Sequence, residues 1–168
     1  MVPPIIQEPH PTLRSIAKEV ALSEIGSQKI QGVIEAMKKA LESQDDGVAI
    51  AAPQINEPYR IFVVSKKVLS KGSEDTVFIN PSIVRLGKKK EYMSEGCLSV
   101  RWKYGMVRRA TTATVKACTP DGHEFVASGK GLIAQIFQHE IDHLDGVLFI
   151  DTAKNIEDLP PESHVRVS

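Results

Sequence analysis

The hexapeptide Gln138-His139-Glu140-Ile141-Asp142-His143 constrains this chain more than any other stretch. It lies in a run whose apolar residues, Leu132, Ile133, Ile136, Phe137, Ile141 and Leu144, recur at helical spacing between Gly131 and Gly146. The spacing predicts an amphipathic helix with apolar positions over roughly half its circumference. His139 and His143 then stand one turn apart on the same face, which suits two ligands of one metal ion. Glu140 is placed between them to handle the proton of a water on that metal. All three fall inside the apolar arc, with Gln135, Gln138, Asp142 and Asp145 expected on the solvent-facing arc. A buried carboxylate beside two buried imidazoles is costly unless compensated, and a divalent cation would compensate it. The same pattern also occurs by chance on ordinary helices, so a third ligand has to be found elsewhere.

With 168 residues, 42% hydrophobic and 25% charged, the chain fits one globular domain. Its 21 Lys and Arg balance 21 Asp and Glu, so no long-range field draws it to nucleic acid or a membrane surface. The apolar runs are far shorter than a bilayer span. Met1 to His10 has neither the charged-then-apolar order of a signal peptide nor an Arg-rich presequence. The expectation is a cytoplasmic protein with no direct nucleic-acid binding and no membrane association. There Cys97 and Cys118 are expected as a thiol or metal ligand rather than as a disulfide.

Residues Pro3 to Ala21 are proline-rich and irregular, with His10 between two prolines in a surface loop. A first helix is predicted over Glu24 to Glu42, with Ile30, Val33, Ile34, Met37, Ala40 and Leu41 as its core face. Gly47-Val-Ala-Ile-Ala-Ala-Pro-Gln54 is apolar and too short for a helix. It reads as a buried loop or strand, although its Gln could also reach a cleft and donate a hydrogen bond. Arg60 to Ser65 reads as a buried strand and Lys66 to Asp75 as a polar loop. Val77 to Asn80 and Ser82 to Arg85 are strand-like, with Pro81 favouring an edge or a bend. Lys88 to Lys90 reads as a solvated edge strand, and Trp102 to Met106 as a loop. Thr112 to Cys118 alternates like a half-exposed strand, Thr119-Pro-Asp-Gly122 turns, and His123 to Ser128 returns as a hairpin. Beyond Asp151 the chain is polar, and Pro160-Pro161 blocks any long terminal helix.

Cys97, in Glu95-Gly-Cys-Leu-Ser99, is the natural third ligand: it follows a glycine in a loop that can bend toward the helix. One thiolate and two imidazoles leave a metal position open, as catalytic sites require. Other sources are weaker. A histidine continuing the helix pattern would have to stand where Phe149 is. A downstream carboxylate could come only from Glu157 or Glu162, in the Pro-rich tail. A closed copper electron-transfer site of two His and one Cys would leave Glu140 without a task.

Three segments, Gly47 to Gln54, Glu95 to Ser99 and Gln138 to His143, resemble the ordered motifs G-x-G-L-A-A-x-Q, E-G-C-L-S and Q-H-E-x-D-H of peptide deformylase. The resemblance runs from the first helix to Asp151. It implies an α+β fold, with antiparallel strands packed around a central metal-binding helix in a single domain. It implies removal of the formyl group from N-formylmethionine of nascent chains, releasing formate. Cys97, His139 and His143 would hold one divalent ion, usually Fe²⁺, for which Zn²⁺, Ni²⁺ or Co²⁺ can substitute. Glu140 would act as general base and then acid, and the Gln54 side chain with the Leu98 N–H would stabilise the oxyanion. Gly47, Ala49, Arg109 and Glu95 would bind the substrate, Arg109 by holding its backbone, and Glu95 would also orient a partner near Cys97. Asp142 reads as a group supporting His143 or equally as a surface ion pair. The catalytic domain is expected over residues 1–151, with a polar, flexible tail over 152–168, in a monomer.

Two departures from the motifs stand out. Ala49 replaces the family's second glycine, and Ile50 its leucine. A residue needing positive φ would be strained as Ala; otherwise its methyl narrows the site. Arg101-Trp-Lys-Tyr-Gly105 replaces a less aromatic loop, making Trp102 either a rim aromatic or a packed loop residue. The tail lacks the basic helix with which many bacterial members dock on the ribosome, so docking is not expected. Ala49 and Trp102 would also suit an enzyme acting on another N-acyl amide. A structural metal module, the non-enzymatic alternative, would need a fourth protein ligand.

Overall fold

In the computed structural model, which describes residues 1–69, 74–159 and 161, two helices pack against two antiparallel sheets. The α+β expectation is borne out. The larger sheet comprises β1 (Ala49–Ala51), β2 (Ile61–Val64), β3 (Thr76–Leu86), β6 (Thr112–Cys118) and β7 (Glu124–Lys130), in the order β1-β2-β3-β6-β7. The smaller comprises β4 (Lys90–Gly96), β5 (Lys103–Ala110) and β8 (Lys154–Asp158), in the order β4-β5-β8. The helices are α1 (Gln28–Glu42) and α2 (Leu132–Leu144).

Alternation in the larger sheet separates two cores. Ile50, Ile61, Val63, Val77 and Ile79 face α1, joining Ile30, Ile34, Met37 and Leu41. The intervening residues, Ala49, Ala51, Phe62, Val64, Phe78 and Val115, face α2 and join Phe137 and Ile141. Phe62 and Phe78 stack at 4.4 Å between centroids, and Phe137 meets Phe78 edge-on at 5.4 Å. With both faces covered, β1 and β2 are apolar throughout, which is why they read as continuous runs. A third cluster of Leu13, Cys97, Val100, Val107, Leu148 and Phe149 lies under the turn that carries Cys97. Helix α2 touches strands of both sheets and is buried over most of its length. Its end is fixed at Gly146, where φ is +74° and a Cβ would sit 2.5 Å from the Arg14 carbonyl oxygen.

The structure differs from the sequence reading in several places. Helix α1 begins at Gln28, because the Ser27 hydroxyl accepts from the Ile30 N–H and caps it there; Glu24 lies in a separate 3₁₀ turn. Pro81 lies inside one continuous β3 that is interior to its sheet. It is tolerated because pairing with β2 stops at Ile79 and the β6 ladder slips between Ile79 and Ser82. The bend was legible, the edge was wrong. Lys103 to Met106 belongs to β5 rather than to a loop. Lys154 to Asp158, in the segment expected as a flexible tail, forms β8 on the edge of β5. Residues 70–73 of the expected polar loop, Pro160 and the last seven residues, Glu162 among them, lie outside the described residues. No helix among the described residues is long and apolar enough to cross a membrane.

Candidate metal centre

Three ligand atoms converge where the two sheets meet α2. His143 Nε2 lies 3.2 Å from His139 Nε2 and 3.3 Å from Cys97 Sγ. All three residues are buried, and their ligand atoms lie within 4.8 Å of one another. The histidines converge because α2 places them one turn apart, with ring centroids 4.8 Å apart. Cys97 arrives at the end of β4, in a turn where the Ser99 N–H points at its sulfur from 3.4 Å. The donor set fits a divalent transition metal: one thiolate and two imidazoles suit iron, zinc, nickel or cobalt. Among the described residues the group holds three ligands, not the four of a closed structural site. Cys118 is a separate buried thiol, so no disulfide competes for Cys97.

The ligands are held from behind. His139 Nδ1–H donates to the Glu95 carboxylate, which fixes the tautomer and turns Nε2 toward Cys97. Arg109 in turn grips Glu95 with both Nε, at 3.0 Å, and Nη2, at 2.5 Å, while Nη1 donates to Asp142 at 2.7 Å. Burial alone would raise the Glu95 carboxyl, but the charges and hydrogen bonds of His139 and Arg109 outweigh it and hold it at about 2. Burial pushes the His143 imidazole well below its ordinary range, whereas for His139 the charge and hydrogen bond of Glu95 outweigh burial and push it well above.

This network bears on two expectations. Each nitrogen of Arg109 already donates to a carboxylate inside the protein, Nε and Nη2 to Glu95 and Nη1 to Asp142. Gln138, expected on the solvent arc, is buried. Its amide brackets Ala110 on β5, accepting from the Ala110 N–H and donating to the Ala110 carbonyl, both at 3.0 Å. Helical periodicity missed it because an amide can be buried once both its ends are paired. Asp142, left open above, is the partner of Arg109.

Glu140 is fully buried on α2, between the two histidine ligands in sequence. Gln54 is fully buried too, in a 3₁₀ turn that follows β1. Its Oε1 accepts from the Ala51 N–H at 2.8 Å, which aims Nε2 at Ser99 Oγ, 3.2 Å away, and at Cys97 Sγ, 3.6 Å away. The buried turn expected here and an amide aimed at Cys97 are therefore both present. Ala49 opens β1, Gly47 lies two residues ahead of it, and Leu98 follows Cys97. Ala49 is extended; outside glycine, the left-handed residues among those described are Asn56, Asn80 and Asn155. Strain at Ala49 is thus ruled out, and its buried methyl narrows the space against α2. Trp102 is exposed, with the Arg101 guanidinium over its ring, 4.2 Å from the centroid. Arg101 is itself paired to Asp46 at 2.8 Å, just ahead of Gly47.

The family model described as polypeptide deformylase matches residues 2–158. A peptide deformylase of Saccharophagus degradans is 40% identical over 154 residues, which are 92% of this chain and 86% of the relative. A crystal structure of a peptide deformylase from Legionella pneumophila is similar with TM-score 0.83 and 36% identity, over 92% of this chain and 88% of that one. A class I type b peptide deformylase from Acinetobacter baumannii, crystallised with Met-Ala-Ser bound, is similar with TM-score 0.82 and 32% identity, over 90% of this chain and 99% of that one.

Proposed function

The chain belongs to the peptide deformylase family, and from that premise we propose how its residues remove the N-formyl group from N-formylmethionine of nascent polypeptides and release formate. The observation that carries the reading is the convergence of Cys97, His139 and His143, with Glu140 and Gln54 buried around them. Cys97 Sγ and the two Nε2 atoms would hold one divalent ion, Fe²⁺ in the cell. When bound, that ion lowers the pKa of a water toward neutrality and polarises the formyl oxygen. Glu140 accepts the proton of the attacking water on its carboxylate and delivers it to the departing amine nitrogen. Gln54 Nε2–H and the Leu98 N–H donate to the oxygen on which charge develops as the formyl carbon becomes tetrahedral. The Glu95–Arg109–Asp142 chain touches none of the reacting atoms; it positions His139.

The outer edge of β1 ends the five-stranded sheet, and we assign it, with Gly47 and Ala49, to an extended peptide added as a further strand. The Met-Ala-Ser in the Acinetobacter relative is what deformylation of formyl-Met-Ala-Ser would leave. The setting we propose is cytoplasmic and the working unit a monomer. The catalytic domain extends through β8, which pairs with the strand that carries Arg109.

Formate release from formyl-Met-Ala-Ser by protein purified anaerobically with Fe²⁺, or with Ni²⁺, tests the assignment. Turnover should vanish on chelation and return on readdition of the ion. A chain that binds the ion stoichiometrically without releasing formate would sink it. Ala49→Gly should keep turnover but shift kcat or KM, because a methyl leaves a fully buried position beside the peptide edge. It should also lower stability by about 1–2 kcal/mol, from the lost methyl and the added backbone freedom. Identical steady-state constants would show that the methyl does not narrow the site.

A further inference from the structure

The segment Ile6–Glu8 belongs to no element, yet it touches both pieces of chain that carry the oxyanion donors. The Ile6 N–H donates to the Gln54 carbonyl at 2.8 Å. One residue on, Gln7 Nε2 donates to the Leu98 carbonyl at 2.8 Å, and Gln7 Oε1 accepts from the Arg101 N–H at 3.2 Å. The Glu8 N–H then donates to the Ser99 carbonyl at 2.8 Å. Two successive carbonyls of the Cys97 turn are thereby fixed, and so is the backbone of the turn that aims Gln54. Ser99 links the same two pieces from the inside, its hydroxyl accepting from Gln54 Nε2.

We infer that Ile6–Glu8 is a strap that sets the relative placement of the two oxyanion donors, with Gln7 as its positioning residue. The residue type at 7 follows from the contacts. One side chain must donate to a carbonyl and accept from an N–H at the same time, and an amide does both in a single planar group at any ordinary pH. Glu in its ionised form keeps the acceptor toward Arg101 but has no proton for Leu98. Gln7 is exposed and contributes nothing to any of the three apolar clusters, so its removal leaves the fold intact. A misplaced donor weakens stabilisation of the developing charge more than binding of the ground state. The effect therefore falls on kcat rather than KM.

The inference rests on the reading that Gln54 and Leu98 serve the oxyanion. The test compares the full chain with Gln7→Ala and Gln7→Glu, all loaded with Ni²⁺, in formate release from formyl-Met-Ala-Ser. Amide hydrogen exchange over residues 98–101 and metal content are followed alongside. Gln7→Glu, which loses the bond to Leu98, should lose about tenfold in kcat, the worth of one hydrogen bond, and Gln7→Ala, which loses both bonds, at least as much, with KM within twofold, metal content unchanged and faster exchange over 98–101. Turnover by the variants at the unsubstituted rate overturns the strap, as does a loss that falls on KM alone. Absence of turnover in the unsubstituted chain overturns the functional reading beneath it, and the strap's catalytic role with it.

Discussion

Glu140→Gln should remove about 10²–10⁴ of kcat/KM, the usual contribution of a positioned general acid–base group, while leaving the metal content unchanged. The two side chains have the same shape, so the packing of a fully buried position on α2 is retained. The three ligand atoms belong to other residues, and none is altered. What changes is proton affinity, because an amide cannot take a proton from water at neutral pH. Formate release and metal analysis on the same preparation separate the outcomes. Loss of turnover with full metal occupancy assigns the proton step to Glu140. Turnover within tenfold of the unsubstituted chain would place the base elsewhere, and loss of metal together with turnover would make Glu140 a structural support.

How much of this was legible in the sequence depends on how local the signal was. The helix carrying His139, Glu140 and His143 was readable from 3.6-residue spacing alone, because it is flanked by glycines and apolar on the correct arc. The third ligand needed a long-range contact, which only the glycine before Cys97 hinted at. Gln138 was misplaced because the helical wheel put it on the solvent arc, and the ion-pair partners of Arg109 were not read at all, its substrate contact coming from the resemblance alone. In the structure each is buried with its polar atoms satisfied by groups far away in sequence, Ala110 for Gln138 and Glu95 with Asp142 for Arg109. Pairing of this kind leaves no periodic trace. Pro81 shows the same limit in the backbone: its local rule was right, but the point where β2 stops pairing is a tertiary fact. The strap at Gln7 could not be read either, since an exposed Gln between prolines and an acidic residue looks like any surface loop.

Arg109→Met should destabilise the fold by about 3–5 kcal/mol, the cost of removing one partner of a buried ion pair. For a chain of this length that is a fall in Tm of roughly 10 °C. The size follows from what is left behind. Glu95 is 4% exposed and would keep only His139 and the Gln135 amide, the latter at 3.3 Å. Asp142 would lose its partner as well. Methionine fills most of the space, so the loss reflects charge rather than a cavity. Because Glu95 sets the ring of His139, metal affinity should also fall, by about 10–100-fold. Adding Glu95→Gln should recover part of the stability, since the uncompensated charge is then gone, but not the metal affinity. That split distinguishes a positioning role from the substrate contact expected from sequence. An Arg that merely held a peptide backbone would, on replacement, raise KM and leave both the melt and the metal affinity where they were. Arg109→Lys sharpens the comparison: it keeps the positive charge but cannot span Glu95 and Asp142 with a planar fork. It should therefore fall between the two, closer to Arg in stability than in metal affinity, if the fork is what holds His139 in place.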